Sequence, residues 1–426
     1  MKIGVDLRVL QVGHEFRGIG AHVRSLLEAM LLDPGFTQNE IFFYQYDSTN
    51  PLETIRVPKE LKYEVIKIKN PKDPRENKTK QDKAIAFIKE IIVNHFALNP
   101  VPETSKLDTF IQFDQALGLP RNPFVRKVLF VYDFIPLAFK SDYLPSPLSI
   151  YRKHGWRAAL RTHALNLRYK IGVKTIKRAN KILVPSEFTG KDASNFLGIK
   201  SKKIVVAPCA LPTIALKKPV DLKKSKKENN VGAKKKIVDT IIDESKDIPY
   251  LLYVGGVEAP RRRLDDLVGA YHQLRASGVC VRLVLVGREL GSVKTIPDPN
   301  TALQLAHDSY KDDLFMMGYL DDKEVDRLYH HTKAFVFVSL YEGFGLPILE
   351  SYAKGCPVIT YDNSSISEVA GDAAIYCEPT LRSLTDTLEK VVKDEITIDE
   401  KRMKTQLEKF SWVDSAKIVT KTILGN

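Results

Sequence analysis

Short apolar runs and longer stretches with one apolar face alternate along most of this chain. The short runs, rich in Val, Ile, Leu and Phe, are Lys2–Asp6, Ile41–Tyr46, Thr109–Phe113, Lys127–Val131, Lys181–Pro185, Ile204–Pro208, Tyr250–Val254, Val281–Val286, Phe315–Met317, Ala334–Val338 and Val358–Tyr361. Apolar runs of this length, bounded by turn residues, are the form of strands buried on both faces. Helical spacing fills the intervals. Ala21–Leu32 places Val23, Leu26, Leu27, Met30 and Leu31 on one side. Glu187–Phe196 follows Ser186, a good N-cap. Further helices are expected over Ala84–Phe96, Leu264–Arg275, Lys323–His330, up to Lys393, Met403–Phe410 and Val413–Leu424. Alternating strands and helices predict parallel sheets covered on both faces, an α/β fold. A length of 426 residues exceeds one ordinary core and predicts two doubly wound, Rossmann-like domains.

The pattern lapses at Leu216–Asp247, where nine lysines fall between Lys217 and Lys236 among few apolar residues. This reads as a solvated linker or insertion. The expected organisation is a domain over 1–212, a linker over 213–247, a second domain over 248–410 and a final helix within 411–426. Lys69–Lys83, charged and rich in breakers, is expected to be an exposed loop.

The chemistry concentrates where strands feed glycine loops. After Ala334–Val338 the chain reads Ser339-Leu-Tyr-Glu-Gly-Phe-Gly-Leu-Pro-Ile-Leu-Glu350. Gly343 and Gly345 permit a sharp turn and close approach to a ligand. Pro347 suits a helix start and Gly355 its stop. Unpaired N–H groups at such a start suit a phosphate or a polar sugar. Glu342 and Glu350 flank the loop. Singly, they read as a solvated turn acid and as helix-dipole complementarity in about the first turn; together, at a strand's end, they form a ligand-site arrangement. Gly18 and Gly20, in Arg17-Gly-Ile-Gly20, form a second strand–loop–helix junction. It reads either as a tight turn needing positive φ or as a phosphate or sugar cradle.

Charge adds two features. The formal net charge of +13 favours anionic partners without choosing among them. No acid lies between Asp142 and Glu187, an interval that holds Arg152, Lys153, Arg157, Arg161, Arg168, Lys170, Lys174, Lys177, Arg178 and Lys181. With Trp156, Leu160, Leu165, Leu167 and Tyr169 among them, these residues describe either a basic amphipathic helix for an anionic membrane surface or a domain helix with a solvated basic face. Arg261, Arg262 and Arg263 stand at the start of Leu264–Arg275, where three cations oppose the helix dipole and call for an anion. No apolar run approaches membrane-spanning length. The start reads as a strand rather than a signal peptide. Cys209, Cys280, Cys356 and Cys377 have no metal spacing and fit buried thiols in a reducing cytoplasm. No nucleic-acid motif is present.

Glu342 and Glu350, with Gly-Phe-Gly-Leu-Pro between them and Ser367-Glu-Val-Ala-Gly-Asp-Ala-Ala374 downstream, resemble the E-x7-E region of retaining glycosyltransferases of family 4, in their bacterial mannosyltransferase-like branch. The resemblance covers most of 1–210 and 248–415. It implies the GT-B fold, two parallel-sheet domains facing a central cleft, with the last helix crossing back to the first domain. It places Glu350 on the donor ribose and Glu342 beside the transferred sugar. The backbone of Gly343, Phe344, Gly345 and Leu346 would face sugar and phosphate, and Gly18 and Gly20 the reaction centre. In the register of the family's Pro-Arg-Lys, Arg261 takes the Arg position and Arg262 the phosphate-gripping Lys position. Tyr132-Asp133 stands where relatives often have His-Asp, so Asp133 is retained and Tyr132 replaces a histidine placed near the sugar. Gly256 replaces an Arg found in some members.

The implied function is retaining transfer of a sugar, best matched by mannose from GDP-mannose, from a nucleotide-sugar donor to a glycan or lipid-linked hydroxyl. Glu342, Asp133 and Tyr132 are the catalytic candidates. No metal or other cofactor is expected, because arginines and helix-start N–H groups supply the positive charge at the departing phosphate. The location implied is the cytoplasm, peripheral on the inner membrane face where the basic stretch binds lipid. Two alternatives stay open: a degenerate homologue acting as a non-catalytic partner or sugar-binding subunit, supported by Tyr132 and Gly256, and a sugar-nucleotide epimerase, which would need further acid–base histidines.

Overall fold

The computed structural model describes residues 1–11, 18–69, 101, 104–117, 119–211, 231–291 and 302–425. Arg17, residues 212–230, the expected Ala84–Phe96 helix and all but the first residue of the Lys69–Lys83 loop lie outside them. The chain divides into two compact units, Met1–Thr213 with Ser411–Asn426, and Ile214–Phe410.

The first unit holds β1 (Lys2–Asp6), β2 (Glu40–Tyr46), β3 (Tyr63–Ile68), β4 (Thr109–Gln112), β5 (Arg126–Phe130), β6 (Lys181–Val184) and β7 (Ile204–Val206). They form one parallel sheet in the order β3-β2-β1-β4-β5-β6-β7. Ile3 pairs with Ile41 on one side and Thr109 on the other. The final helix, Trp412–Leu424, belongs to this unit and packs along the Gly18–Met30 helix. It buries Trp412, Ala416, Val419 and Ile423. The Thr109 hydroxyl donates to the Ile423 carbonyl (3.1 Å), and Trp412 Nε1 donates to the Leu211 carbonyl (2.6 Å).

The second unit holds β8 (Tyr250–Val254), β9 (Arg282–Val286), β10 (Leu314–Gly318), β11 (Ala334–Phe337), β12 (Val358–Tyr361) and β13 (Ala374–Cys377). Their order is β10-β9-β8-β11-β12-β13, again all parallel. The Leu264–Ala276 helix covers one face through Leu267, Val268, Tyr271 and Leu274, which join Leu251, Leu283 and Val336 in one core. In each sheet the order of succession reverses once, between β1 and β4 and between β8 and β11. Open α/β sheets bind ligands beyond the carboxyl ends of strands at such a reversal.

Three expectations need correction. Part of the lysine-rich segment is not linker: Val231–Asp243 is a helix of the second unit, with Val238 and Ile241 fully buried. Its lysines are the solvated side of an amphipathic turn pattern. Cys280 is exposed, whereas Cys209, Cys356 and Cys377 are buried. Gly18 and Gly20 sit in the first turn of the Gly18–Met30 helix, and neither adopts a left-handed backbone.

The basic stretch forms one run of 32 residues, Pro147–Arg178, broken at Gly155 (φ 82°, ψ 177°). Its second part buries Ala164, Gly172, Thr175 and Ile176. The part before Gly155 buries nothing and leaves Leu148 and Tyr151 exposed, and just beyond the break Trp156 and Leu160 are exposed as well, Trp156 to 61%. Among the described residues, no helix is long and apolar enough to cross a membrane.

Candidate functional site

In the second unit the loops leaving β8 and β11 meet at the reversal. Their backbones are joined: Arg262 bridges Ser339 antiparallel, Arg263 N–H donates to the Val338 carbonyl (3.0 Å), and Leu340 N–H donates to the Arg261 carbonyl (2.9 Å). This main-chain zipper brings the expected arginines onto the expected acid. Glu342 Oε1 accepts from Arg261 Nη1 (2.5 Å) and from the Ser339 hydroxyl (2.9 Å), and Arg262 Nη2 lies 3.3 Å away. The three side chains are nearly buried, at 7–13% exposure.

The anion demanded by the arginine cluster is thus supplied within the protein. Arg261 also pairs with Glu258, and Arg263 is bidentate on Asp266 (2.8 and 2.9 Å). Arg262 differs. Its guanidinium lies over the Phe337 ring (5.1 Å) and close to the Tyr253 hydroxyl, yet Nε and Nη1 are buried with no partner at full hydrogen-bond geometry among the described residues. Its approach depends on Gly255, where a Cβ would stand 2.9 Å from Nη1.

The far side of the Glu342 loop is held by Asn363, Ser364 and Ser365, just after β12. Glu342 N–H donates to the Ser364 hydroxyl oxygen (3.1 Å), Asn363 Nδ2 donates to the Ser339 carbonyl (3.0 Å), and the Ser365 hydroxyl lies 2.8 and 2.9 Å from the Glu342 and Phe344 carbonyls. Gly345 then caps the Leu346–Ala353 helix at φ 109°, a conformation that only glycine adopts freely. Phe344 is buried edge-on to Phe410, which fixes the loop's apex.

Glu350 is the fifth residue of that helix, not a first-turn acid. Dipole complementarity therefore does not account for it. Burial pushes its carboxyl up to about 7, and the negative charges of Asp322 and Asp326 add to this against Lys354. Gly343 and Leu346 complete the group of expected donor residues within the loop and at the helix start.

In the first unit, Tyr132 and Asp133 follow β5. Asp133 Oδ1 accepts from Ile135 N–H (3.0 Å) and closes the turn. The Tyr132 oxygen lies 2.9 Å from His22 Nδ1. His22 is buried against Phe130, Tyr132 and Trp412, with ring centroids 4.6, 5.1 and 5.2 Å away. Burial drives its imidazole down to about 3, and burial above all holds the Tyr132 phenol well above its usual range, so both are neutral. Sequence reasoning passed over His22. The available signal was its spacing, since His22, Leu26 and Met30 share the apolar side of one helix.

Residues 235–410 match the family described as glycosyl transferases group 1. The O-antigen chain mannosyltransferase B of Escherichia coli is 32% identical over 167 residues, 38% of this chain and 42% of that protein. The serotype-specific mannosyltransferase WbdA of Escherichia coli is 30% identical over 173 residues, 39% of this chain and 20% of that protein. The matches therefore span less than half the length of either relative. Among solved structures, the lipopolysaccharide outer core galactosyltransferase WaaB aligns over 100% of this chain and 99% of its own, with a TM-score of 0.56 at 14% identity. Anabaena Alr3699/HepE, solved with UDP and glucose, aligns over 100% of both chains, with a TM-score of 0.56 at 13% identity. At such identities the structural likeness speaks for the fold. Residues 235–410 thus carry a glycosyl transferases group 1 domain, within a chain of GT-B fold.

Proposed function

We propose that this protein is a retaining, metal-independent glycosyltransferase that moves mannose from GDP-mannose to a hydroxyl of a glycan or lipid-linked acceptor. The observation that carries the reading is Arg262, with two buried guanidinium nitrogens that have no hydrogen-bond partner among the described residues, beside Glu342 at the β8/β11 reversal. Leaving buried donors unsatisfied costs about 1–3 kcal/mol or more for a charged group. A donor diphosphate would satisfy them with charge-assisted hydrogen bonds. The two mannosyltransferase relatives support the sugar, and both bear the names of active enzymes.

On this reading the work divides by charge. Arg262 and the N–H groups around Gly343–Leu346 would stabilise the departing diphosphate. Glu342, held by Arg261 and Ser339, would orient the sugar and favour its cationic character. Glu350 would accept the ribose hydroxyls. The acceptor oxygen would bond to the anomeric carbon on the face that the phosphate leaves, and its proton would pass to a phosphate oxygen. That accounts for retention without a protein nucleophile.

The acceptor side would lie on an anionic membrane surface. The exposed apolar side chains of the Pro147–Gly155 turns and Trp156, set among basic residues with no acid, support this.

The test is a thermal-shift panel of nucleotide sugars, followed by assay of nucleoside diphosphate release and the anomeric configuration of the product. Stabilisation and turnover by GDP-mannose, with retention, is the expected result. Preference for a uridine donor would overturn the donor assignment alone. Neither stabilisation nor turnover by any nucleotide sugar would overturn the enzyme.

A further inference from the structure

We propose that His22 is a positioning residue: it donates from Nδ1 to the Tyr132 oxygen and so turns the Tyr132 hydroxyl into a fixed hydrogen-bond donor toward a sugar hydroxyl or ring oxygen. The ligand class rests on the glycosyltransferase reading; the His22–Tyr132 geometry does not.

The argument is one of hydrogen accounting. His22 Nδ1 and the Tyr132 oxygen are 2.9 Å apart, and one hydrogen lies between them. A neutral imidazole carries one N–H, on Nδ1 or Nε2. His22 Nε2 is buried and has no partner among the described residues. Protonating Nε2 would orphan a buried donor among aromatic rings, whereas protonating Nδ1 leaves there only a lone pair. Orphaned buried N–H groups are the rarer and costlier of the two. With the hydrogen on Nδ1, the Tyr132 oxygen accepts and its own O–H donates elsewhere; Tyr132 is only half-buried, so that O–H can reach solvent or a ligand, which the buried His22 Nε2 cannot.

The surroundings fix that arrangement. Phe130 stacks on Tyr132 (centroids 4.8 Å, interplanar 28°), and the rings of Phe130 and Trp412 close around His22. Tyr132 stands just beyond the carboxyl end of β5, the side of a parallel sheet where ligands bind. Neither group ionises near neutral pH, so the donor is present across that range. A tyrosine thereby supplies at position 132 a neutral O–H with one direction. Its stiff ring has few rotamers to lose on binding.

The inference is tested on the full chain in two ways. Nitrogen-15 spectra of histidine-labelled protein, with His22 assigned by its loss in His22→Asn, should show the neutral Nδ1–H tautomer from pH 5 to 8. In Tyr132→Phe, which removes the acceptor, the same signal should move toward the Nε2–H form. An Nε2–H tautomer in the native protein, or a His22 that protonates in this range, would overturn the proposal. Turnover supplies the second arm. Tyr132→Phe and His22→Leu should each lower kcat/KM by about three- to tenfold, the size of one hydrogen bond. The double variant should lose no more than either, and His22→Asn, which keeps an N–H near the Nδ1 position, should recover most activity. Additive losses, or a His22→Asn no better than His22→Leu with equal melting temperatures, would show packing alone. If the native protein turns over no nucleotide sugar, the enzyme reading fails, and the tautomer spectrum still decides the His22 assignment.

Discussion

Glu350 offers the sharpest test of the donor site, because burial raises its carboxyl to about 7. Burial is the main cause, with Asp322 and Asp326 adding to it. A carboxyl raised above its unfolded value of 4.5 binds more protons folded than unfolded. Its contribution to stability is therefore fully present below pH 4.5 and is lost as pH rises through about 7. One pKa unit corresponds to about 1.4 kcal/mol. After allowance for residual solvent screening, the loss amounts to about 2–3 kcal/mol. Glu350→Gln carries no such charge, so its stability relative to the native protein should rise by about that amount between pH 5 and 8. Denaturant unfolding at several pH values measures it.

Donor binding should titrate in the opposite sense. If the ionised Glu350 accepts two ribose hydroxyls, it has to lose its proton first. Affinity should then rise about tenfold from pH 6 to 8 in the native protein and stay flat in Glu350→Gln. A nucleotide sugar is the right probe for calorimetric titration, since its diphosphate diester does not itself titrate in this window. A native affinity that is flat from pH 6 to 8, beside the expected slope in stability, would refute the ribose role and leave a merely buried acid. Flat stability would refute the raised carboxyl itself.

Three further outcomes are expected. Arg262→Ala should weaken a nucleoside diphosphate by about 1.5–3 kcal/mol while leaving the nucleoside nearly unchanged; Arg261 and Ser339 still hold Glu342, so an equal loss for both ligands would indicate general damage. The full chain should bind vesicles with anionic lipid and not neutral ones, at roughly 1 kcal/mol per basic group near the surface, and release them in high salt; Trp156 fluorescence reports contact, and equal binding to both vesicle types, or none, ends that idea. Gly345→Ala should cost about 1–3 kcal/mol of stability, because alanine is strained at φ 109° and its Cβ meets Ile348 Cδ1 at 3.3 Å; a loss below about 0.5 kcal/mol would show that the loop relaxes freely.

The parallel sheets were legible because their strands are short apolar runs, buried on both faces. β3 was not. Among the described residues β3 is an edge strand, paired only with β2, and Glu64 and Lys67 leave it no apolar run. The helix Val231–Asp243 was hidden by its own lysines, although Ile237, Val238, Ile241 and Ile242 carry the helical spacing. At the site, the loop from Glu342 to Glu350 was legible as a contiguous motif. The supports from Ser339, Asn363, Ser364 and Ser365 were not, because nothing local marks a serine that will hold a distant carbonyl. Nor was the pairing of Arg261 with Glu342, 81 residues apart, which only the β8/β11 crossover brings together. His22 was missed for the opposite reason: it lies on an apolar side and was absorbed into the core.

The first unit is completed by residues that follow the entire second unit in the chain. At about 5–20 residues per second, a ribosome needs roughly 10–40 s to pass from 213 to 411. During that interval the surfaces destined for Trp412, Ala416, Val419 and Ile423 have no partner, and the carbonyls of Pro208 and Leu211 lack the donors that Ser415 and Trp412 bring. The second unit, built from one contiguous stretch, has everything it needs earlier. Order of synthesis and order of completion are therefore reversed: the domain begun first is finished last, and its half-covered core is the nascent chain's period of greatest need for a chaperone.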